Sequence, residues 1–187
     1  MSARFEITAT PLAGLTVIRR RPLGDARGYF ERVFCDSELA DYFPDGRIAQ
    51  INRTLTRLSG TVRGLHYQLP PQAEVKLISC LRGRVFDIAV DLRRDSPTFL
   101  RWHAEILSAD NHCSLLVPAG FAHGFQTLEN DCELLYLHSA PHAPAAERGL
   151  HALDPRVGIA WPQPPVGLSE RDATRPLLSS DFDGVVA

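Results

Sequence analysis

The chain has 187 residues, enough for one domain with a substantial hydrophobic core, and its 44% hydrophobic and 22% charged content is that of a soluble globular protein. A net charge of -2 with both signs interspersed argues against a dedicated nucleic-acid or anionic-membrane surface. No apolar run approaches the ~20 residues of a membrane span, and residues 1–6 lack the apolar stretch of a signal peptide, so a cytoplasmic protein with one domain over 1–187 is expected.

In chain order, the first strand is expected over 14–19. Residues 36–43 could make two helical turns, stopped by Pro44-Asp45-Gly46. An extended segment around His66 ends at Pro70-Pro71, and strands follow over 75–81 and 85–92. In the latter, Phe86, Ile88, Val90 and Leu92 share one face while Asp87 and Asp91 share the other, the alternation of a half-buried strand. Further strands are expected over 102–107, 114–117 and 133–138, with another re-entering after Pro118 and Gly120. Turn residues punctuate them at Arg82-Gly83, 94–97, 109–111 and 129–131. Residues 140–146 read as a loop, and Ser169-Glu170-Arg171-Asp172 as a capping box opening a short helix. Many short strands with regular turns predict an all-β sandwich or barrel.

Cys35, Cys80, Cys113 and Cys132 are scattered without a C-x-x-C pair, so they are expected to be structural rather than metal-binding or disulfide-bonded. Lys76 is the only lysine beside 19 arginines. That matters because an ammonium is a compact point charge with a movable pKa, whereas a guanidinium is not. Lys76 alternates with Ile78 and Cys80 on one strand face. On the preceding strand, regular alternation would put Val62, Gly64, His66 and Gln68 on one face, with Gly64 leaving room beside the imidazole. Arg63 and His66 would then point oppositely unless a bulge intervenes at Gly64.

The segment containing Pro118, Gly120 and His123 resembles the second signature of the cupin superfamily, P-x-G-x-x-H. The first signature normally supplies an H-x-H pair, but here it reads His66-Tyr67-Gln68. A divalent-metal site wants about three or more protein ligands, so the expectation is a cupin barrel without metal. What remains is an acid–base set: His66 as a base, Asp172 to orient it, Lys76 as a cation and Tyr136 as a phenolic acid. Proton abstraction beside a carbonyl requires these functions, with the cation at the enolate oxygen and the acid on the opposite face of the ring.

From about residue 15 to 178 the chain resembles the dTDP-4-dehydrorhamnose 3,5-epimerases. The resemblance is carried by Gly24-Asp25-Ala26-Arg27-Gly28-Tyr29-Phe30, Arg63-Gly64-Leu65-His66-Tyr67-Gln68-Leu69-Pro70-Pro71, Asp87-Ile88-Ala89-Val90-Asp91-Leu92-Arg93, Pro118-Ala119-Gly120-Phe121-Ala122-His123-Gly124-Phe125, Glu147-Arg148-Gly149 and Leu168-Ser169-Glu170-Arg171-Asp172. It implies a metal-free and cofactor-free cupin-type jelly roll acting as a homodimer, with N-terminal strands reaching the neighbouring subunit's site. It implies His66 as base, Asp172 as its carboxylate partner, Lys76 facing the enolate and Tyr136 as acid. Arg27, Gln50, Asn52, Arg63, His123, Glu147 and Arg171 match positions lining the substrate and nucleotide-diphosphate pocket, where guanidinium forks suit phosphate oxygens. Two positions depart from the family pattern: His142 stands where a second tyrosine is usual, and Arg32 stands where an acidic residue is usual. The implied reaction converts dTDP-4-dehydro-6-deoxy-D-glucose to dTDP-4-dehydro-L-rhamnose, a step of dTDP-rhamnose biosynthesis. Alternatives are epimerisation at one carbon or on a differently activated sugar, and more distantly a metal-dependent cupin dioxygenase or a non-catalytic sugar-binding jelly roll.

Overall fold

The computed structural model describes residues 4–43 and 47–186. Among these are β1 (Phe5–Ala9), β2 (Thr16–Arg20), β3 (Leu23–Asp25), β4 (Gly28–Phe30), β5 (Gln50–Thr56), β6 (Val62–Gln68) and β7 (Lys76–Arg82). They continue with β8 (Arg84–Asp91), β9 (Trp102–Ser108), β10 (Cys113–Val117), β11 (Phe121–Thr127), β12 (Cys132–His138), β13 (Glu147–Gly149) and α1 (Glu170–Ala173). A six-stranded sheet runs β1-β2-β10-β7-β12-β5 and a five-stranded sheet runs β13-β6-β11-β8-β9, while β3 and β4 form a separate hairpin. From β5 to β12 the chain repeatedly crosses between the two antiparallel sheets, which is the jelly-roll arrangement expected.

Three apolar layers hold this together. Ile78, Cys80, Leu115, Val117 and Leu134 from the larger sheet meet Val85, Ala89, Leu107, Phe121 and Phe125 from the smaller one, filling the interior. Leu150, Val157 and Val185 pack on the outer face of the smaller sheet against Leu65, Tyr67, Ile88, Val90 and Leu92. Leu39 and Phe43 cover the outer face of the larger sheet at Leu77, Leu116 and Leu137. Since apolar side chains fill only part of the interior, one end of the barrel is left for polar groups.

The strand over 85–92 is buried on both faces rather than half-buried. Ile88, Val90 and Leu92 lie under the C-terminal segment, while Asp87 and Asp91 are themselves inaccessible. Asp91 is held by Arg93, Ser96 and Thr98; Asp87 turns into the barrel. The helix expected over 36–43 is instead a run of turns, with Leu39 bonded to the Cys35 carbonyl and Tyr42 to the Leu39 carbonyl. An isolated segment of eight residues is too short to sustain a helix by propensity, and docking of Leu39 and Phe43 is satisfied without one. Its expected stop at 44–46 lies outside the described residues. The short C-terminal helix does form, and the Ser169 hydroxyl accepts from the Asp172 backbone N–H at 3.1 Å.

Cys80, Cys113 and Cys132 are buried free thiols, the setting of structural cysteines, whereas Cys35 is only half-buried. Burial pushes the Cys80 thiol up to about 12.

Candidate active site

The open end of the barrel is organised by an irregularity in β6. His123 of β11 stands opposite His66, but Phe125 stands opposite Arg63, so β6 carries one extra residue there. This bulge puts Arg63 and His66 along the same cavity despite their spacing. Gly64 sits within it at φ +124°, and a Cβ there would meet the Gly124 Cα at 2.6 Å and the His123 carbonyl oxygen at 2.8 Å. The glycine is therefore needed for close approach of two backbones, not to leave space beside the imidazole as the sequence suggested.

His66 Nε2 and Asp172 Oδ1 are 2.6 Å apart, joining β6 to α1 across 106 residues of chain. The capping arrangement aims this carboxylate. Ser169 captures the Asp172 backbone N–H, and the acidic side chain turns to His66 rather than closing the box. Burial alone would raise the Asp172 carboxyl, but its hydrogen bond to His66, with the charges of His66 and Arg171, holds it below the usual carboxylate range. An ionised Asp172 accepts, so Nε2 is the donor in this contact, and a neutral imidazole so held has its lone pair on Nδ1.

Opposite this dyad stand Lys76 and Tyr136, on adjacent strands of the larger sheet. Lys76 is 8% exposed, and its Nζ donates to the His66 carbonyl oxygen at 3.2 Å. Tyr136 follows Leu134 on the inner face of β12. Burial, with the charge of Asp87, pushes its hydroxyl well above the ordinary tyrosine value, so it is protonated throughout the neutral range and can serve as a donor. His123 packs edge-on to Tyr136 with centroids 6.0 Å apart, and its Nε2 lies 3.0 Å from both oxygens of Asp87. Burial raises the Asp87 carboxyl against the lowering effect of His123.

Asn52, Thr54, Arg63, His66, Lys76, His123, Phe125, Tyr136, His138 and Arg171 line one cavity of about 240 Å³. It adjoins a groove of about 610 Å³ that shares Arg63, His66 and Arg171 and adds Arg57, Ser169 and Asp172. On the other side a recess brings in Glu74, His142 and Glu147. There, Glu147 pairs with Arg171 at 2.7 Å and with His142 Nε2 at 2.7 Å. Gln50 accepts from the His142 backbone N–H, tying the loop over 140–146 to the edge strand β5. Arg27 and Arg32 are not in this cavity. Arg27 lies on the exposed β3–β4 hairpin, paired with Asp25 at 2.5 Å, and Arg32 is paired with Glu38 at 2.7 Å.

Sequence reasoning missed Asp87, Glu74, His138 and Arg57. The period-2 pattern assigned Asp87 to a solvated face, because alternation cannot distinguish water outside a barrel from a polar cavity within it. His138 offered a weak signal, lying two residues after Tyr136 and so on the same strand face. Among the described residues, no group of three or more His, Cys, Asp or Glu side chains is placed to hold a metal ion.

Residues 9–180 match the family described as dTDP-4-dehydrorhamnose 3,5-epimerase. The chain belongs to that family. It is 45% identical over 168 residues to the dTDP-4-dehydrorhamnose 3,5-epimerase of Sinorhizobium fredii, covering 89% of this chain and 86% of the relative. Its fold superposes with a TM-score of 0.88 on dTDP-6-deoxy-D-glucose-3,5-epimerase from Legionella pneumophila in complex with dTDP-4-keto-L-rhamnose. That pair shares 34% identity over 98% of this chain and 99% of the other. A 3'-monoepimerase from Streptomyces bikiniensis, solved with dTDP-quinovose, superposes at 0.84 with 33% identity, covering 91% of this chain and 86% of that one.

Proposed function

We propose that this family member is a nucleotide-sugar isomerase that inverts both carbons flanking the ketone of dTDP-4-dehydro-6-deoxy-D-glucose, giving dTDP-4-dehydro-L-rhamnose. The observation that carries this reading is the 2.6 Å His66–Asp172 dyad facing Lys76 and Tyr136 across one cavity. His66 Nδ1 takes the carbon-bound proton while Asp172 accepts from Nε2 and stabilises the imidazolium formed. The Lys76 ammonium meets the negative charge growing on the ketone oxygen, where few waters compete. Tyr136 returns a proton to the opposite face of the ring and thereby inverts the centre. Arg57, Arg63 and Arg171 along the groove suit the diphosphate, and Asn52, His123 and Glu147 complete the polar lining.

We further propose a single epimerase domain over 1–187 acting as a cytoplasmic homodimer. Support for the dimer comes from β5, an edge strand with Ile51 and Leu55 exposed, and from the β3–β4 hairpin with exposed Tyr29 and Phe30. Exchange of the N-terminal strands would carry Arg27 and Arg32 toward the partner's pocket, giving these arginines the role they lack in their own chain's cavity.

A single-carbon epimerase is the second reading, favoured by the exposed His142 where the family usually has tyrosine. Proton NMR in deuterated water separates the two. Solvent deuterium entering both carbons supports double epimerisation; entry at one carbon alone replaces it with the second reading, and entry at neither removes both.

A further inference from the structure

Among the described residues, the three histidines that line the cavity, His66, His123 and His138, are each paired with a carboxylate, and the proposed reaction uses only the first of these pairs catalytically. The third consists of His138 and Glu74, with His138 Nδ1 2.8 Å from Glu74 Oε2. The other oxygen of the same carboxylate lies 3.2 Å from Lys76 Nζ. Glu74 therefore bridges two residues that are already cross-strand neighbours, since His138 of β12 is in register with Lys76 of β7. The His138 ring also stacks on Tyr136, with centroids 6.0 Å apart and planes inclined by 19°.

A lysine this deeply buried is driven toward its neutral form unless an opposite charge stands beside it. Among the described residues, Glu74 is the carboxylate in direct ion-pair contact with Lys76; Asp87 acts on it only through space. The His66 carbonyl supplies a further acceptor but no full charge. Burial works against ionisation of Glu74, yet His138 and Lys76 hold its carboxyl below the usual range, so it is charged when Lys76 needs it.

We propose that Glu74, fixed by His138, is a positioning residue that keeps the Lys76 ammonium charged and seated at the cavity wall for the enolate oxygen. This rests on the epimerase reading for its kinetic consequence, but not for its electrostatic one. His138 transmits the same anchor to the Tyr136 ring, so one carboxylate sets the cation and, indirectly, the acid.

The lone lysine makes the test clean, because selectively ¹³C-labelled lysine gives one ε-carbon signal, that of Lys76. In Glu74→Gln, which keeps size and hydrogen bonding but removes the charge, the Lys76 titration should move down by about one unit or more. In the same variant kcat should fall about tenfold while KM stays within about threefold, the pattern of an interaction that matters chiefly in the transition state. Glu74→Asp should recover part of both effects, and it also serves if Glu74→Gln does not fold. An unmoved Lys76 titration overturns the proposal, as does a rise in KM with kcat unchanged. Wild-type protein that fails to epimerise, yet shows the Lys76 shift in the variant, would refute the epimerase reading and leave the Glu74 anchor standing.

Discussion

Replacing Asp172 with Asn tests the heart of the proposed chemistry. The substitution keeps side-chain size and leaves the backbone N–H that Ser169 captures, so α1 should survive it. What it removes is the negative end of a 2.6 Å contact with His66. Hydrogen bonds to charged groups contribute about 1.5–3 kcal/mol. This one reaches full strength only when His66 holds the abstracted proton, so the loss falls on the transition state. At about 1.4 kcal/mol per factor of ten, proton abstraction should slow by about 10- to 150-fold. His66 is 27% exposed, and water can partly replace the lost partner, which places the expectation in the lower half of that range, at a few tens of fold. The assay is the initial rate of deuterium entry beside the ketone, followed by NMR at saturating substrate, with the melting temperature as a folding control. Exchange within about twofold of wild type in a folded Asp172→Asn protein would falsify the dyad as the proton-abstracting unit.

Tyr136→Phe should separate the two half-reactions: His66 still exchanges the proton, but without a donor on the far face deuterium enters with retention, so exchange persists while product formation collapses. Gly64→Ala should destabilise by about 2–4 kcal/mol, because the new methyl meets only backbone atoms and φ is in the left-handed region; chemical denaturation measures it. The lowered carboxyls of Asp172, Glu74 and Glu147 contribute stability that is present above their unfolded values near ~4 and lost as pH falls through the folded ones. The melting temperature should therefore drop on acidification, and less steeply in Asp172→Asn than in wild type. Iodoacetamide on the native protein should label Cys35, whose thiol a hydrogen bond from Ser37 lowers, and spare Cys80, as mass spectrometry of peptides would show.

Much of the barrel could be read directly, because strands such as β7 and β12 announce themselves by apolar residues pointing inward. β5 could not, and its omission is instructive. Its outward residues Ile51 and Leu55 are apolar and exposed, whereas Asn52 and Thr54 face the cavity, so its pattern is inverted relative to a core strand. The same inversion hid Asp87. His66, Lys76, Tyr136 and Asp172 were legible as a chemical set, and the family resemblance assigned their roles. Their meeting in space depends on a bulge that a strand template does not contain and on a cap that turns one carboxylate by a hydrogen bond. The Glu74–His138 bridge had no sequence signature, because it arises from the register of two strands whose connection in sequence is remote.

The dyad also has a consequence in time. Its two halves are 106 residues apart, so a ribosome that has just made His66 must add most of the barrel before Asp172 exists. During that interval the imidazole, the ammonium and the phenol can already be gathered by the closing sheets, yet the base has no carboxylate to orient it. Competence therefore arrives with a four-residue helix that follows the last strand, β13, in the chain.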